Sequence, residues 1–280
     1  MALDTLPNNQ AFSRAQGLYR HASGFTGTNM TFSVYAPNHV QGAKLPVVWF
    51  LSGLTCTHTN VTGKRAHCSA CAGLGLIFLA PNTSPRGEDV PDDPAGSCDF
   101  GLGAGFYVDA TEASYSTHYL MWGYVIKELR AEVAEHLPVI LSRPSITGHF
   151  IGGHGALTMG LTYPDRFRSV SAFGPIAAPG QVPWGQKALV GYLGSDRRAW
   201  RQHDDVALIE DGAPLAELLV DQGDADQFME KQLRPEPLEQ ACAAADIHLR
   251  LPIQPGYDHS YYFNWTPMHD HLRWRADRLR

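Results

Sequence analysis

Short apolar runs alternate along the chain with longer stretches whose apolar residues recur every three or four positions, the rhythm of strands followed by covering helices. The run KLPVVWFLSG, Lys44 to Gly53, is nearly continuous in apolar, β-branched and aromatic residues, and LGLIFLAPN, Leu74 to Asn82, repeats it. An unbroken apolar strand is one buried on both faces. By contrast, YLMWGYVIKELRAEVAEHL, Tyr119 to Leu137, places its apolar residues at helical steps and its charges on the opposite side, which predicts an amphipathic helix. Further strands are expected at PSITGH, FRSVSAFGP, PLAELLVDQG and HLRLPIQPG, with helices from about Gly152, from about Pro235 and from about Tyr262 to the end. MTFSVYAP predicts an antiparallel strand ahead of the parallel set. No Gly/Ser or Pro tract divides the chain and no internal repeat is visible. Residues 1–280 therefore read as one α/β domain, a mostly parallel central sheet with helices on both faces.

Composition fits a soluble enzyme rich in strand-to-helix turns: 44% hydrophobic and 18% charged residues, with 27 glycines and 19 prolines. A net charge of -6 supplies none of the clustered basic surface that nucleic acid or an anionic membrane requires, so neither partner is expected. No apolar run is long enough to span a bilayer, and MALDTLPNNQAFSRAQG lacks the segments of a secretory signal, so the expected location is cytoplasmic. Cys56, Cys68, Cys71, Cys98 and Cys242 are odd in number and without framework spacing, which favours reduced thiols. Cys68 and Cys71 form a C-x-x-C pair, but KRAHCSACAGLG reads as the end of a helix with no strand before it, so two packed thiols are expected rather than a redox or zinc site.

The candidate chemistry lies in PSITGHFIGGHGALTMGL, Pro144 to Leu161, where a β-rich run meets close glycines and then a helix-forming stretch. This is the shape of a nucleophile elbow, G-x-S-x-G, whose flanking positions must be small because a Cβ there collides with the turn. Gly148 and Gly152 occupy the flanks, but the centre is Phe150, which carries no group able to attack a carbonyl. The acid and the histidine of a triad are expected after later strands, in that order. Asp226 follows PLAELLV in the loop DQGDADQF, and His259 follows HLRLPIQ in PGYDHSYYFNW. An acid placed there orients an imidazole and stabilises its charged form.

The stretches LSGLTCT (Leu51 to Thr57), APNTSPRG (Ala80 to Gly87), DFGLGAGFYVDAT (Asp99 to Thr111), PWGQKALVGYLG (Pro183 to Gly194), DQGDADQF (Asp221 to Phe228) and YDHSYYF (Tyr257 to Phe263) resemble, in order, those of the S-formylglutathione hydrolases, also called esterase D. The resemblance covers nearly the whole chain. It implies an α/β-hydrolase fold, no cofactor and no metal, and Asp226 and His259 as acid and base. The family's GHSMGG reads GHFIGG here, so Phe150 and Ile151 both depart from it. The implied substrate is the thioester S-formylglutathione, cleaved to glutathione and formate in formaldehyde detoxification, with small esters as side substrates. A homodimer is an expectation of the same resemblance. Two backbone N–H groups must meet the oxyanion, that of Ile151 after the nucleophile position and that of Leu54 in SGLTC.

Without the serine, only binding and oxyanion stabilisation remain, so the chain is expected to be nearly inactive. The Phe150 ring is expected either to fill the acyl pocket or to distort the elbow. Ser145 and Thr147 should be buried in sheet contacts, and Ser52 precedes the oxyanion loop. Cys56 reads as a thiol lining the site, since a nucleophilic role would require His259 within reach. His149 is adjacent to the site, and a metal pair with His154 is not expected, nor are His269 and His271 expected as ligands. Trp184, Lys187 and the run Tyr261, Tyr262, Phe263 are candidates for the substrate channel, although packing explains the aromatics equally well. Two alternatives stand beside the hydrolase: a non-catalytic homologue that binds acyl-glutathione, and an acyl transferase on the same fold.

Overall fold

The computed structural model describes residues 3–11, 14–63 and 66–279. Its strands are β1 (Asp4–Ala11), β2 (Arg14–Ala22), β3 (Asn29–Tyr35), β4 (Leu45–Leu51), β5 (Ile77–Pro81), β6 (Val139–His149), β7 (Ser169–Phe173), β8 (Glu217–Gly223), β9 (His248–Arg250) and β10 (Ile253–Gln254). In space they run β1, β2, β3, β5, β4, β6, β7, β8, β10, with β9 also paired to β8. The pairs among β1, β2 and β3, and that of β3 with β5, are antiparallel, whereas every pairing from β5 through β4, β6, β7 and β8 is parallel.

The continuous apolar run of β4 is explained by its two covered faces. Val47, Trp49 and Leu51 point into one buried cluster, while Val48 and Phe50 point into another. In β5, Ile77 and Leu79 join the first and Phe78 and Ala80 the second, the period of two that a pleated strand imposes.

The helices are α1 (His58–Thr62), α2 (Ala66–Leu74), α3 (Met121–Gly123), α4 (Arg130–His136), α5 (Ile151–Thr162), α6 (Pro183–Leu193), α7 (Arg197–Trp200), α8 (Asp205–Glu210), α9 (Pro235–Ala244) and α10 (Tyr261–Leu279). A π-helical stretch, Tyr124–Leu129, joins α3 to α4, so the amphipathic run forms one rod with a widened turn in its middle. Tyr124, Leu129 and Val133 of that rod, with residues of α5, α6, α8 and α9, cover the first face. Residues of α2 and α10 cover the second, among them Cys68, Cys71, Met268 and Leu272. Among the described residues there is no disulfide, and the C-x-x-C pair lies in α2, which ends at Leu74.

The expected strand HLRLPIQPG is two short strands. Pro252 has no N–H to give to a ladder, so pairing lapses there, yet its carbonyl accepts from Gln222 N at 3.2 Å and β10 resumes alongside β8. Met1, Ala2, Phe12 and Ser13 of the N-terminal stretch, and Lys64 and Arg65 before the C-x-x-C pair, lie outside the described residues. Among the described residues no helix is long and apolar enough to cross a membrane.

Candidate active site

The end of β6 and the start of α5 meet at Phe150, whose φ of 57° and ψ of -117° form a sharp bend. The flanking glycines are required by contact. A Cβ on Gly148 would lie 2.1 Å from Gly152 O, and one on Gly152 would lie 2.0 Å from Leu51 O. The bend is locked by Phe150 N–H, which donates to Phe173 O at 3.1 Å, and by His154 N–H, which donates to Phe150 O at 2.9 Å. A bulky residue thus holds a backbone conformation that L side chains rarely adopt, because the surrounding strand and helix impose it.

The Phe150 side chain is 3% exposed. Its ring stands edge-on to His259 at 4.3 Å between centroids, stacks on Phe228 at 5.7 Å and meets Trp184 at 5.7 Å. Of the two expected outcomes, the ring fills the space before the histidine and the bend keeps its form.

Asp226, in the loop after β8, and His259, in the loop between β10 and α10, converge on this ring. Asp226 Oδ2 lies 2.6 Å from His259 Nδ1, Asp226 Oδ1 accepts from Phe228 N–H at 2.9 Å, and Gln222 Nε2 donates to Oδ2 at 3.4 Å. With Nδ1 on the carboxylate, the imidazole presents Nε2 to the site, and that Nε2 is buried with no hydrogen-bond partner. Gly174 lies directly beneath the pair, where a Cβ would come 3.5 Å from His259 Cε1 and 3.6 Å from Asp226 Oδ2, and its φ of 46° is the left-handed conformation that favours glycine.

His149 lies against the same imidazole, with ring centroids 4.4 Å apart, and burial together with His259 holds its pKa well below 6.5. It is a neutral wall of the site. His154 points elsewhere, from α5 toward Phe106, and among the described residues no cluster of His, Cys, Asp and Glu is arranged to hold a metal ion.

The loop after β4 packs on the bend. A Cβ on Gly53 would lie 3.2 Å from Phe150 Cβ, which places Leu54 beside the elbow. Among the described residues neither Leu54 N–H nor Ile151 N–H donates to another backbone carbonyl, as oxyanion donors require. Ser52 is fully buried, and its carbonyl accepts from Tyr107 OH at 3.0 Å. Burial pushes the Cys56 thiol up, against smaller opposing contacts from Tyr261, the Gly53 backbone and Arg86, so Cys56 is a poor nucleophile at neutral pH.

The remaining candidates separate. Ser145 Oγ donates to Ser169 O at 3.1 Å and Thr147 Oγ1 pairs with Ser171 Oγ at 3.1 Å, both inside the sheet. Lys187 is held by Asp93 at 2.7 Å and Asp99 at 2.5 Å. Phe263 is core, Tyr262 is 66% exposed, and Tyr261 packs on His149 at 5.1 Å. His269 is exposed, whereas His271 is buried against Ser171 and Asp221. Sequence reasoning overlooked Phe228 and Gly174. Phe228 closes the motif DQGDADQF and could have been found there, but Gly174 is brought in by strand order, which local pattern does not carry.

A strand-to-helix bend, with an acid and a histidine after later strands of a mostly parallel sheet, is the arrangement of the α/β-hydrolase class. Comparison with known proteins narrows the class. The Esterase family model matches residues 23–278. The chain is 47% identical over 279 residues to an S-formylglutathione hydrolase of Paracoccus denitrificans, covering 100% of this chain and 99% of that one. It is 42% identical over 281 residues to the S-formylglutathione hydrolase of Rattus norvegicus, again with 100% and 99% covered. The solved structure of an S-formylglutathione hydrolase from Agrobacterium tumefaciens superposes with a TM-score of 0.97 at 49% identity, over 99% of this chain and 100% of that one. The chain belongs to the esterase family and, within it, to the S-formylglutathione hydrolases.

Proposed function

We propose that this chain is an S-formylglutathione hydrolase with every part of its site in place except the nucleophile, and that it is nearly inactive as it stands. One observation carries the reading: His259, oriented by Asp226 at 2.6 Å, turns a buried and unpartnered Nε2 toward a space filled by the Phe150 ring. The substrate, S-formylglutathione, is taken from the names of the relatives. The reading treats residues 1–280 as one domain acting on a small thioester in the cytoplasm.

In the repaired site, a serine hydroxyl at position 150 attacks the formyl carbon while His259 Nε2 takes its proton and Asp226 stabilises the imidazolium. The N–H groups of Leu54 and Ile151 receive the negative oxygen. His259 then gives the proton to the departing glutathione sulfur, and water, deprotonated by the same imidazole, releases formate. Phenylalanine removes the attacking oxygen and occupies the space of the acyl group. The same ring speaks against a non-catalytic acyl-glutathione binder, which needs that space open.

The test is S-formylglutathione hydrolysis by this chain and by Phe150→Ser. A rise in kcat of more than about 10³-fold is expected, because loss of a triad nucleophile costs on the order of 10⁶. A folded variant that gains less than about ten-fold refutes the assignment of position 150.

A further inference from the structure

The turn offering Leu54 N–H is held by a strap from the loop after β5. Thr55 sits at a φ of 62°, a conformation unfavourable for a β-branched residue, so its neighbours must impose it. Thr55 N–H donates to Gly103 O at 2.9 Å, and Thr83 Oγ1 donates to Cys56 O at 2.5 Å. Arg86 Nη2 donates to two successive carbonyls of the same turn, Thr55 O at 3.4 Å and Cys56 O at 3.3 Å. Gly103 closes the other side: a Cβ there would meet Thr55 Cα at 2.9 Å and Arg86 Nη2 at 3.1 Å. Gly103 N–H is fixed in turn by Ser84 Oγ at 2.8 Å.

Arg86 stays in this place at a cost. Its Nε is buried without a hydrogen-bond partner, and among the described residues no carboxylate pairs with it. The groups it serves are the two carbonyls. A planar guanidinium can bridge adjacent backbone oxygens while keeping its own orientation, which a flexible ammonium does less well.

We infer that Arg86 is a positioning residue for the oxyanion hole, holding residues 54–56 so that Leu54 N–H faces the acyl oxygen. The inference rests on the proposed role of Leu54. Arg86 touches no reacting atom and acts through the turn.

Two measurements test it. In the unaltered chain, Arg86→Met keeps the volume of the stem and removes the donors. Amide exchange over residues 53–57 is expected to quicken at least about ten-fold, with α5 and α10 unchanged. Unchanged exchange in that segment overturns the inference. In the Phe150→Ser background, Arg86→Met is expected to lower kcat toward S-formylglutathione by about 10- to 100-fold with KM within about two-fold, as for a displaced oxyanion donor. Guanidinium ion added to Arg86→Ala is expected to restore part of that loss, and methylammonium is not. A kcat equal to that of the Phe150→Ser parent, or a loss carried by KM alone, overturns the inference. If Arg86→Met does not fold, Arg86→Lys keeps the charge without the fork and is expected to show the same kcat-selective loss, smaller in size. Inactivity of Phe150→Ser itself refutes the reading of position 150 instead, and the exchange result then decides on Arg86.

Discussion

At the scale of single residues, the elbow is fixed by atoms that have no room to move. Gly148→Ala and Gly152→Ala each drive a methyl to within 2.1 Å of a backbone oxygen, so neither variant is expected to fold stably. A Cβ on Gly73, inside α2, would meet nothing within 4 Å, and Gly73→Ala is expected to stabilise the chain by about 0.5–1 kcal/mol. Urea denaturation separates these outcomes. For the dyad, Asp226→Asn in the Phe150→Ser background is expected to lower kcat by about 10⁴-fold, because an amide no longer holds the tautomer that presents Nε2; a change below ten-fold by stopped-flow thioester assay contradicts the role. Gly148, Gly152, Asp226 and His259 were legible in the sequence because each belongs to a local motif. The collapse of the Phe150 ring onto Phe228 and Trp184 was not, since those residues come from segments far apart in the chain.

At the scale of elements, α10 is tied to the sheet by two buried polar residues one turn apart. His271 pairs with Ser171 Oγ on β7 at 2.7 Å and with Asp221 Oδ2 on β8 at 2.6 Å, and Arg275 donates to Ser145 Oγ at 2.8 Å and Ile146 O at 3.3 Å on β6 and to Ser171. Ser171, His271 and Asp221 thus form a Ser-His-Asp array apart from the candidate active site, but all three are at most 2% exposed and lie in the packed layer between helix and sheet. The array anchors the helix that follows His259. His271→Leu removes one of the hydrogen bonds to the buried Asp221 carboxylate, which keeps Gln254 Nε2 on its Oδ1, and is expected to cost about 1–3 kcal/mol, read by the urea midpoint. A cost below about 0.5 kcal/mol contradicts the anchoring role. The continuous apolar run of β4 and the long periodic stretch of α10 were visible in the sequence. The short α1, α7 and α8 were not, because four to six residues carry too little periodicity, and neither the π-helical turn in the α3–α4 rod nor the break at Pro252 has a hydrophobic signature.

At the scale of the whole molecule, the chain is built to lose stability in acid. Burial lowers the pKa of His67 and His154 to about 3, and of His58, His203 and His271 to about 4, from 6.5, with His21 and His149 shifted the same way. The unfolded chain protonates these groups below pH 6.5 while the folded chain resists, so the unfolded state binds more protons and stability falls as pH drops from 6.5 toward 4. Each group contributes up to about 1.4 kcal/mol per pH unit in that window. Asp205, pushed up to about 7 by burial and by Asp204, works in the opposite sense, as do Asp204 and Asp109, but these three are outnumbered by the seven histidines. The urea midpoint is expected to fall steadily between pH 7 and pH 5, less steeply in His67→Phe; a flat profile contradicts the balance. The central claim, a formed esterase site lacking only its nucleophile, is tested most directly by an activated organophosphonate that labels serine only where a base removes its proton. Peptide mass spectrometry of Phe150→Ser is expected to find one adduct per chain at position 150, absent when His259→Ala is added and absent from the unaltered chain. An unlabelled Phe150→Ser protein, or an adduct on Cys56 or Ser171, contradicts it.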